Sequence, residues 1–259
     1  MTEMGFMLGA ARNVIENIPQ AKIIVDGIQP GYLQFIRDIL KLDPTNRLLV
    51  IRPFSTFGSL KVKKLHMMFF MMCGYVSPMN QILTREWIRD LHPQIYSSMM
   101  KTNSTSKYVV ENGDVIVLDR NERGICNRCL DNTKEFVQSL NELFSNSKQG
   151  QRVVRHVTLG RLSVYEQMVL FSKAELVIGP HGAGLTNMIY MPDNAKVLEI
   201  MNHDRYFNYA YYDMAVGFGL VYRGIAPESS NARNNNIVKF NRLDVKKTLR
   251  TVQELLLLE

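Results

Sequence analysis

Long apolar runs are missing from this chain of 259 residues. The richest stretch, LHMMFFMMCGYV at positions 65–76, falls short of the roughly 18 residues that cross a bilayer and reads as core. The opening MTEMGFMLGAARN has no basic region ahead of a long apolar segment, so it does not read as a secretory signal. Stable membrane insertion is therefore not expected. The expected setting is cytoplasmic or otherwise soluble, with the ER or Golgi lumen as the alternative if an anchor has been removed.

Cysteine is scarce. Cys73, Cys126 and Cys129 make no even framework, and CNRC lacks the second pair that a structural zinc site requires. Reduced, unbridged thiols are expected. The sequon NST at Asn103 is expected by chance in a chain of this length and decides nothing. No internal repeat or heptad is visible, and neither Gly-x-Gly-x-x-Gly nor a Gly-Lys-Ser/Thr loop is present, which disfavours NAD enzymes and P-loop ATPases.

Charge is present but not concentrated. The 31 Lys and Arg against 24 Asp and Glu give a net +7, which favours an anionic partner, either a phosphorylated small molecule or a nucleic acid. The basic residues are scattered, as in KVKK and VKKTLR, and form no tract interleaved with aromatics, so no nucleic-acid partner is expected. With 46% apolar and 21% charged residues the composition is that of a soluble globular protein.

Strand and helix patterns alternate. AKIIV, a helical stretch with Leu33, Ile36 and Leu40 on one face, and RLLVI make a β-α-β beginning. The polar stretch KTNSTSK at 101–107 reads as a linker. Beyond it come the strand DVIVLD, the helix NTKEFVQSLNELF with Phe136, Val137, Leu140 and Phe144 on one side, and the strand RVVRHV. Ser163 and Glu166 have capping-box spacing, opening a helix to about Ser172, and ELVIG and AKVLEI follow as strands on either side of a further helix. In RLDVKKTLRTVQELLLLE, Asp244 is a candidate N-cap, and Val245, Leu249, Val252, Leu255 and Leu256 lie along one face of a packing helix. Parallel sheets with helices on both faces, the Rossmann-like class, are expected. The expected division is an N-terminal domain at 1–100, a ligand-binding domain at 101–228, and a C-terminal helical segment at 229–259 packing back on the body.

In VIGPHGAGLTN the glycines 179, 182 and 184 stand where a strand turns into a helix, at the sheet end where such folds bind ligands. The first N–H groups of the following helix attract anions, so a phosphate or diphosphate is the expected guest, with His181 as an added donor. The bland alternative is a tight turn with a solvated histidine.

The stretch LSVYEQMVLFSKAELVIGPHGAGLTNMIYMPDNAKVLEI resembles the signature of glycosyltransferase family 61. The matching features are arginines after a strand (Arg120, Arg123), a Glu-Gln pair opening a helix (Glu166, Gln167), the turn from His181 to Asn187, and Glu199 ending the next strand. Two departures stand out: Arg12 occupies the place where many relatives have histidine, and GICNRC interrupts the segment after the arginines.

The resemblance implies a GT-B type enzyme, two Rossmann-like domains with parallel sheets facing a cleft, acting by inversion. It implies a UDP-sugar donor, with xylose favoured and GlcNAc or arabinose as alternatives, and a hydroxyl of a glycan or glycoprotein as acceptor. Donor binding would fall to Arg120, Arg123, His181, Gly182, Ala183, Gly184, Leu185, Thr186, Asn187 and Glu199, the arginines clamping diphosphate and Glu199 taking the ribose hydroxyls. Thr186 and Asn187 either cap the helix or contact phosphate. Glu16 in NVIENIP is the candidate base, with Asp26 second. No cofactor or metal is expected, because arginines can serve in place of a cation and no paired-aspartate motif lies near the donor strands. The last helix of GT-B enzymes often crosses back to the first domain. A non-catalytic nucleotide- or glycan-binding relative is the alternative function.

Overall fold

The computed structural model describes residues 8–9, 11–25, 30–50, 78–96, 113–122, 125–126, 129–145, 152–201, 209–233 and 237–257. Met1–Pro93 and Gln94–Glu259 form two compact units.

In the first unit, α1 (Arg12–Asn17) precedes β1 (Ile23–Val25). Helix α2 (Pro30–Gln34) runs on as a π-helical turn, Phe35–Ile39, closed by the Leu40 N–H on the Phe35 carbonyl (3.0 Å). The turn buries Phe35, Ile36, Ile39 and Leu40 together, a set that α-helical spacing also places on one face. Lys41 then takes a positive φ of 56°. Asp43 caps α3 (Pro44–Arg47), accepting from the Thr45 N–H at 2.9 Å with Pro44 at its start, where a missing N–H costs nothing. β2 (Leu48–Val50) pairs parallel with β1, Ile23 opposite Leu48, as the expected β-α-β unit requires. Helix α4 (Pro78–Leu91) buries Trp87 and Ile88, and Ile15 and Tyr32 are buried in the same unit. Gly9 lies against it, its N–H on Thr84 Oγ1 at 3.1 Å.

A short helix, α5 (Pro93–Tyr96), spans the boundary in sequence. The second unit opens with β3 (Asp114–Asp119), the short strands β4 (Asn121–Glu122), β5 (Ile125–Cys126) and β6 (Cys129–Leu130), and α6 (Thr133–Ser145). There follow β7 (Val154–Thr158), a 3₁₀ turn at Leu159–Arg161, and α7 (Val164–Ser172), whose capping box is formed by Ser163 and Glu166 as the spacing predicts. The chain continues through β8 (Ala174–Pro180), a 3₁₀ helix at Ala183–Tyr190, β9 (Lys196–Ile200), α8 (Ala210–Gly217) and β10 (Val221–Ile225). It ends with β11 (Ser229–Arg233), β12 (Ile237–Arg242) and α9 (Val245–Leu257).

Five strands form one parallel sheet in the order β10-β9-β8-β3-β7. Strands β8 and β9 are buried at every position, as their mostly apolar sequence requires, and the charged Glu175, Lys196 and Glu199 are buried with them. Val115, Val117, Leu176, Ile178, Leu198 and Ile200 share a core with Phe136, Leu140 and Phe144 of α6 and with Val252, Leu255 and Leu256 of α9. The alternate residues Ile116, Leu118, Val177 and Val197 are equally buried from the other face of the sheet. Asp244 caps α9 through the Lys247 N–H at 3.0 Å, so α9 packs as its apolar stripe predicts.

Within GICNRC, Ile125 and Cys126 form β5 and Cys129 opens β6, and β6 pairs with β12 from near the other end of the unit, Cys129 opposite Phe240. Asn132 fixes this junction: its side chain both donates to the Leu243 carbonyl (2.9 Å) and accepts from the Leu243 N–H (3.0 Å). Cys129 is disulfide-bonded, which corrects the expectation of reduced thiols. An odd cysteine count excludes complete pairing but not a single bridge. Cys73, the stretch 65–76 and the linker 101–107 lie outside the described residues. Among the described residues no helix is long and apolar enough to cross a membrane.

Candidate functional site

Strands β3 and β8 are neighbours in the sheet although β7 separates them in sequence, so the chain leaves their C-terminal ends in opposite directions. Such a switch point is where open α/β sheets hold ligands. β3 is followed by Arg120 and β8 by His181, and Arg120 Nη1 donates to the His181 carbonyl at 2.8 Å. The two strand ends are thus joined across the crevice position.

Gly182 comes next, buried, with φ +153°, a conformation that side chains rarely adopt. A Cβ there would stand 2.0 Å from Arg120 Nη1 and 2.7 Å from its Cζ, so the guanidinium occupies the space a side chain would need. Gly179 and Gly184 serve packing instead: their missing Cβ atoms would press on Leu118 at 2.9 Å and Leu159 at 3.0 Å. The segment beyond the turn is a 3₁₀ helix, where an α-helix was expected. Its first bond runs from the Leu185 N–H to the Gly182 carbonyl (2.9 Å), so the N–H groups of Ala183 and Gly184 precede the first turn.

His181 donates its N–H to the Ile200 carbonyl at 2.9 Å, and its Nδ1 meets Glu199 Oε1. Glu199 is 0% exposed, and its second oxygen accepts from the Tyr222 hydroxyl at 2.6 Å. Burial, reinforced by that bond to Glu199, pushes the Tyr222 phenol far above its ordinary range, so it stays a protonated donor. The Tyr211 ring flanks the imidazole edge-on, centroids 5.1 Å apart at 67°.

The remaining residues of the turn are tied inward. Leu185 is core. Thr186 Oγ1 donates to the Ala183 carbonyl at 2.7 Å. Asn187 is buried and donates to Gln167 Oε1 at 2.9 Å, while Gln167 donates to the carbonyls of Leu159 (3.2 Å) and Leu162 (3.1 Å). Backbone and hydroxyl bonds from Ser163 lower the Glu166 carboxyl below its usual range. The Glu-Gln pair of the signature therefore caps α7 and braces the turn.

Glu16 lies in the first unit. Its Oε1 accepts from Arg12 Nε at 3.0 Å, and Arg12 Nη1 reaches Asp90 at 2.6 Å. Partial burial pulls the Arg12 guanidinium down, but its bonds to Asp90 and Glu16 outweigh this and leave it raised. Asp26 and Arg123 lie outside the described residues. Among the described residues no group of three or more His, Cys, Asp or Glu is placed to hold a metal ion.

Sequence reasoning missed Tyr211 and Tyr222. Neither belongs to a motif, and only the placement of β10 beside β9 brings Tyr222 to Glu199. The family model Glycosyltransferase 61 matches residues 14–198. No curated protein matches the chain. The matched span is more than half of the chain and takes in Glu16, the switch point and the turn at 181–187: the chain belongs to glycosyltransferase family 61, and a sugar donor and an acceptor are the substrates that membership implies.

Proposed function

We propose that this member of glycosyltransferase family 61 moves a sugar from a UDP-sugar to a hydroxyl of a glycan or glycoprotein acceptor with inversion, xylose being the favoured sugar and GlcNAc or arabinose the alternatives. The observation that carries this reading is the joining of Arg120 to the His181–Gly182 turn at the switch point. An arginine fork and the N–H groups of Ala183 and Gly184 suit a diphosphate, and Gly182 admits the arginine against the backbone of the turn. The GT-B type is part of the proposal and is supported by the family resemblance.

In the reaction, the acceptor oxygen attacks the anomeric carbon as the bond from that carbon to the diphosphate oxygen breaks. The bonding pair leaves with UDP, and the hydroxyl proton passes to a base. Charge building on the departing diphosphate is met by Arg120 and His181, so no metal is called upon. Glu16 is the proposed base, supported by its place in the family-matched span and its half-exposed carboxylate beside Arg12. Glu199, with both oxygens engaged inside the protein, is assigned to donor binding through His181 rather than through ribose. The non-catalytic alternative draws on one observation, the ion pair that already occupies Glu16.

A screen of UDP-xylose, UDP-GlcNAc and UDP-arabinose, read as UDP release with and without acceptor, tests the proposal. Transfer of one of these sugars with inverted anomeric configuration is expected, and His181→Ala should lower turnover by about tenfold to a thousandfold. A protein that shows no UDP affinity by calorimetry overturns the donor reading; UDP binding without transfer selects the non-catalytic one.

A further inference from the structure

His181 is held at more points than its backbone alone requires. Its N–H and carbonyl are fixed by Ile200 (2.9 Å) and Arg120 (2.8 Å), its Nδ1 by Glu199, and its ring edge by Tyr211. The side chain is 13% exposed. An ionised Glu199 accepts only, so the ring nitrogen facing it carries the proton. A carboxylate wholly removed from water is costly unless its oxygens are bonded, and the second oxygen of Glu199 depends on the Tyr222 hydroxyl at 2.6 Å.

The placement of Tyr222 is specific. On β10, Gly224 stands opposite Glu199 and Tyr222 opposite Val197, so Tyr222 and Gly224 share a face of the sheet. The phenol lies along the strand over Gly224, its oxygen 3.4 Å from where a Cβ at 224 would be. Tyr212 of α8 props the Tyr222 ring edge-on at 5.6 Å, while its neighbour Tyr211 does the same for His181. Phenylalanine at 222 would keep the ring packing; the hydroxyl adds its bond to Glu199 and a contact with Met201 Sδ at 3.7 Å.

We propose that Tyr222 is a positioning residue for the donor site: by fixing the Glu199 carboxylate it holds the His181 ring with its Nδ1–H on Glu199, so that Nε2 is aimed at the diphosphate of the sugar donor and donates to it from the doubly protonated ring. This rests on the reading of residues 181–187 as the donor turn. A free histidine side chain in water favours the opposite tautomer, with the proton on Nε2, so the clamp has a spectroscopic signature independent of activity.

The test is nitrogen-15 NMR of protein labelled in the imidazole rings of its five histidines, His181 being identified by its loss in His181→Gln. In the parent, His181 is expected to carry a proton on Nδ1 that exchanges slowly with water. Tyr222→Phe should speed that exchange and lower kcat about tenfold, the scale of one hydrogen bond to a charged group, with the UDP-sugar KM changing much less. In Glu199→Gln, the amide oxygen accepts the hydrogen bond from the Tyr222 hydroxyl and the amide N–H faces the ring, so the His181 proton should move to Nε2.

A parent ring protonated only on Nε2 overturns the clamp, even where Tyr222→Phe fails to fold. So does a folded Tyr222→Phe with unchanged exchange and kcat, or a Glu199→Gln that keeps its proton on Nδ1. Failure of UDP-sugars to bind the parent overturns the donor reading instead, and the NMR still decides the clamp.

Discussion

The guanidinium of Arg120 fills the space in which a side chain at Gly182 would begin, with Nη1 only 2.0 Å from the missing Cβ. The glycine and the arginine are therefore one device: the bare backbone admits the cation, and the cation bonds the carbonyl just before it.

Gly182→Ala should consequently act on binding more than on folding. The guanidinium can swing away, but only by giving up the His181 carbonyl, and the φ of +153° adds a backbone cost of about 1–3 kcal/mol. Calorimetry should show UDP affinity reduced at least about tenfold, since one hydrogen bond to a charged group carries roughly that much. Unchanged affinity would remove Arg120 from the diphosphate site.

If Glu16 is the base, Glu16→Gln should separate binding from chemistry. UDP affinity should stay at the parent value while transfer falls by about a hundredfold or more, the contribution of a general base. If transfer is unaffected, Asp26→Asn becomes the next variant, and normal transfer in both places the base elsewhere.

Metal removal addresses the cation question. If Arg120 and the turn meet the diphosphate charge as proposed, sugar transfer should survive EDTA at the parent rate. Loss of activity on chelation, restored by Mn²⁺, would make the arginine secondary.

At the opposite end of the sheet, Arg152 grips Glu175 through two bonds of 2.8 and 2.9 Å, both side chains almost wholly buried, with Lys196 3.9 Å from the same carboxylate. Glu175→Ala removes the carboxylate that two buried cations share and should cost about 3–5 kcal/mol, read as a lowered unfolding midpoint. A variant as stable as the parent would show that water reaches the pair.

His92 makes the first unit sensitive to acid. Burial lowers its pKa below the ordinary 6.5, with the charge of Lys41 acting the same way and the bond from the ring to the Ile39 carbonyl at 2.7 Å opposing it. The unfolded chain thus binds the proton more readily, so stability present above pH 6.5 is lost as pH falls toward the folded pKa, by at most about 1.4 kcal/mol per pH unit. Thermal unfolding between pH 7.5 and 5.5 should show this loss, and a folded His92→Gln should show less of it.

Much of this protein was legible because short-range physics writes it into the chain. DVIVLD is a strand over the same six residues in the structure, Ser163 and Glu166 close their capping box, and Asp244 caps the last helix. The glycines after β8 announced a close approach of backbone to something, and Arg120 to its strand end. Periodicity failed where chain geometry departs from the regular: it cannot tell the π turn at Phe35–Ile39 or the 3₁₀ helix at Ala183–Tyr190 from an α-helix, since all three bury similar faces.

The sequence by itself determined the alternation of strands and helices, the bare turn at 181–187 and the arginine that follows β3, because each depends on neighbours a few residues away. Only the tertiary structure decided that β3 and β8 lie side by side, so that Arg120 reaches a carbonyl 61 residues onward. It alone decided that β10 flanks β9, which turns Tyr222 into the partner of a carboxylate the sequence had pointed at ribose. Strand order is set by how the whole sheet buries its two faces, a sum over distant contacts that no local pattern carries.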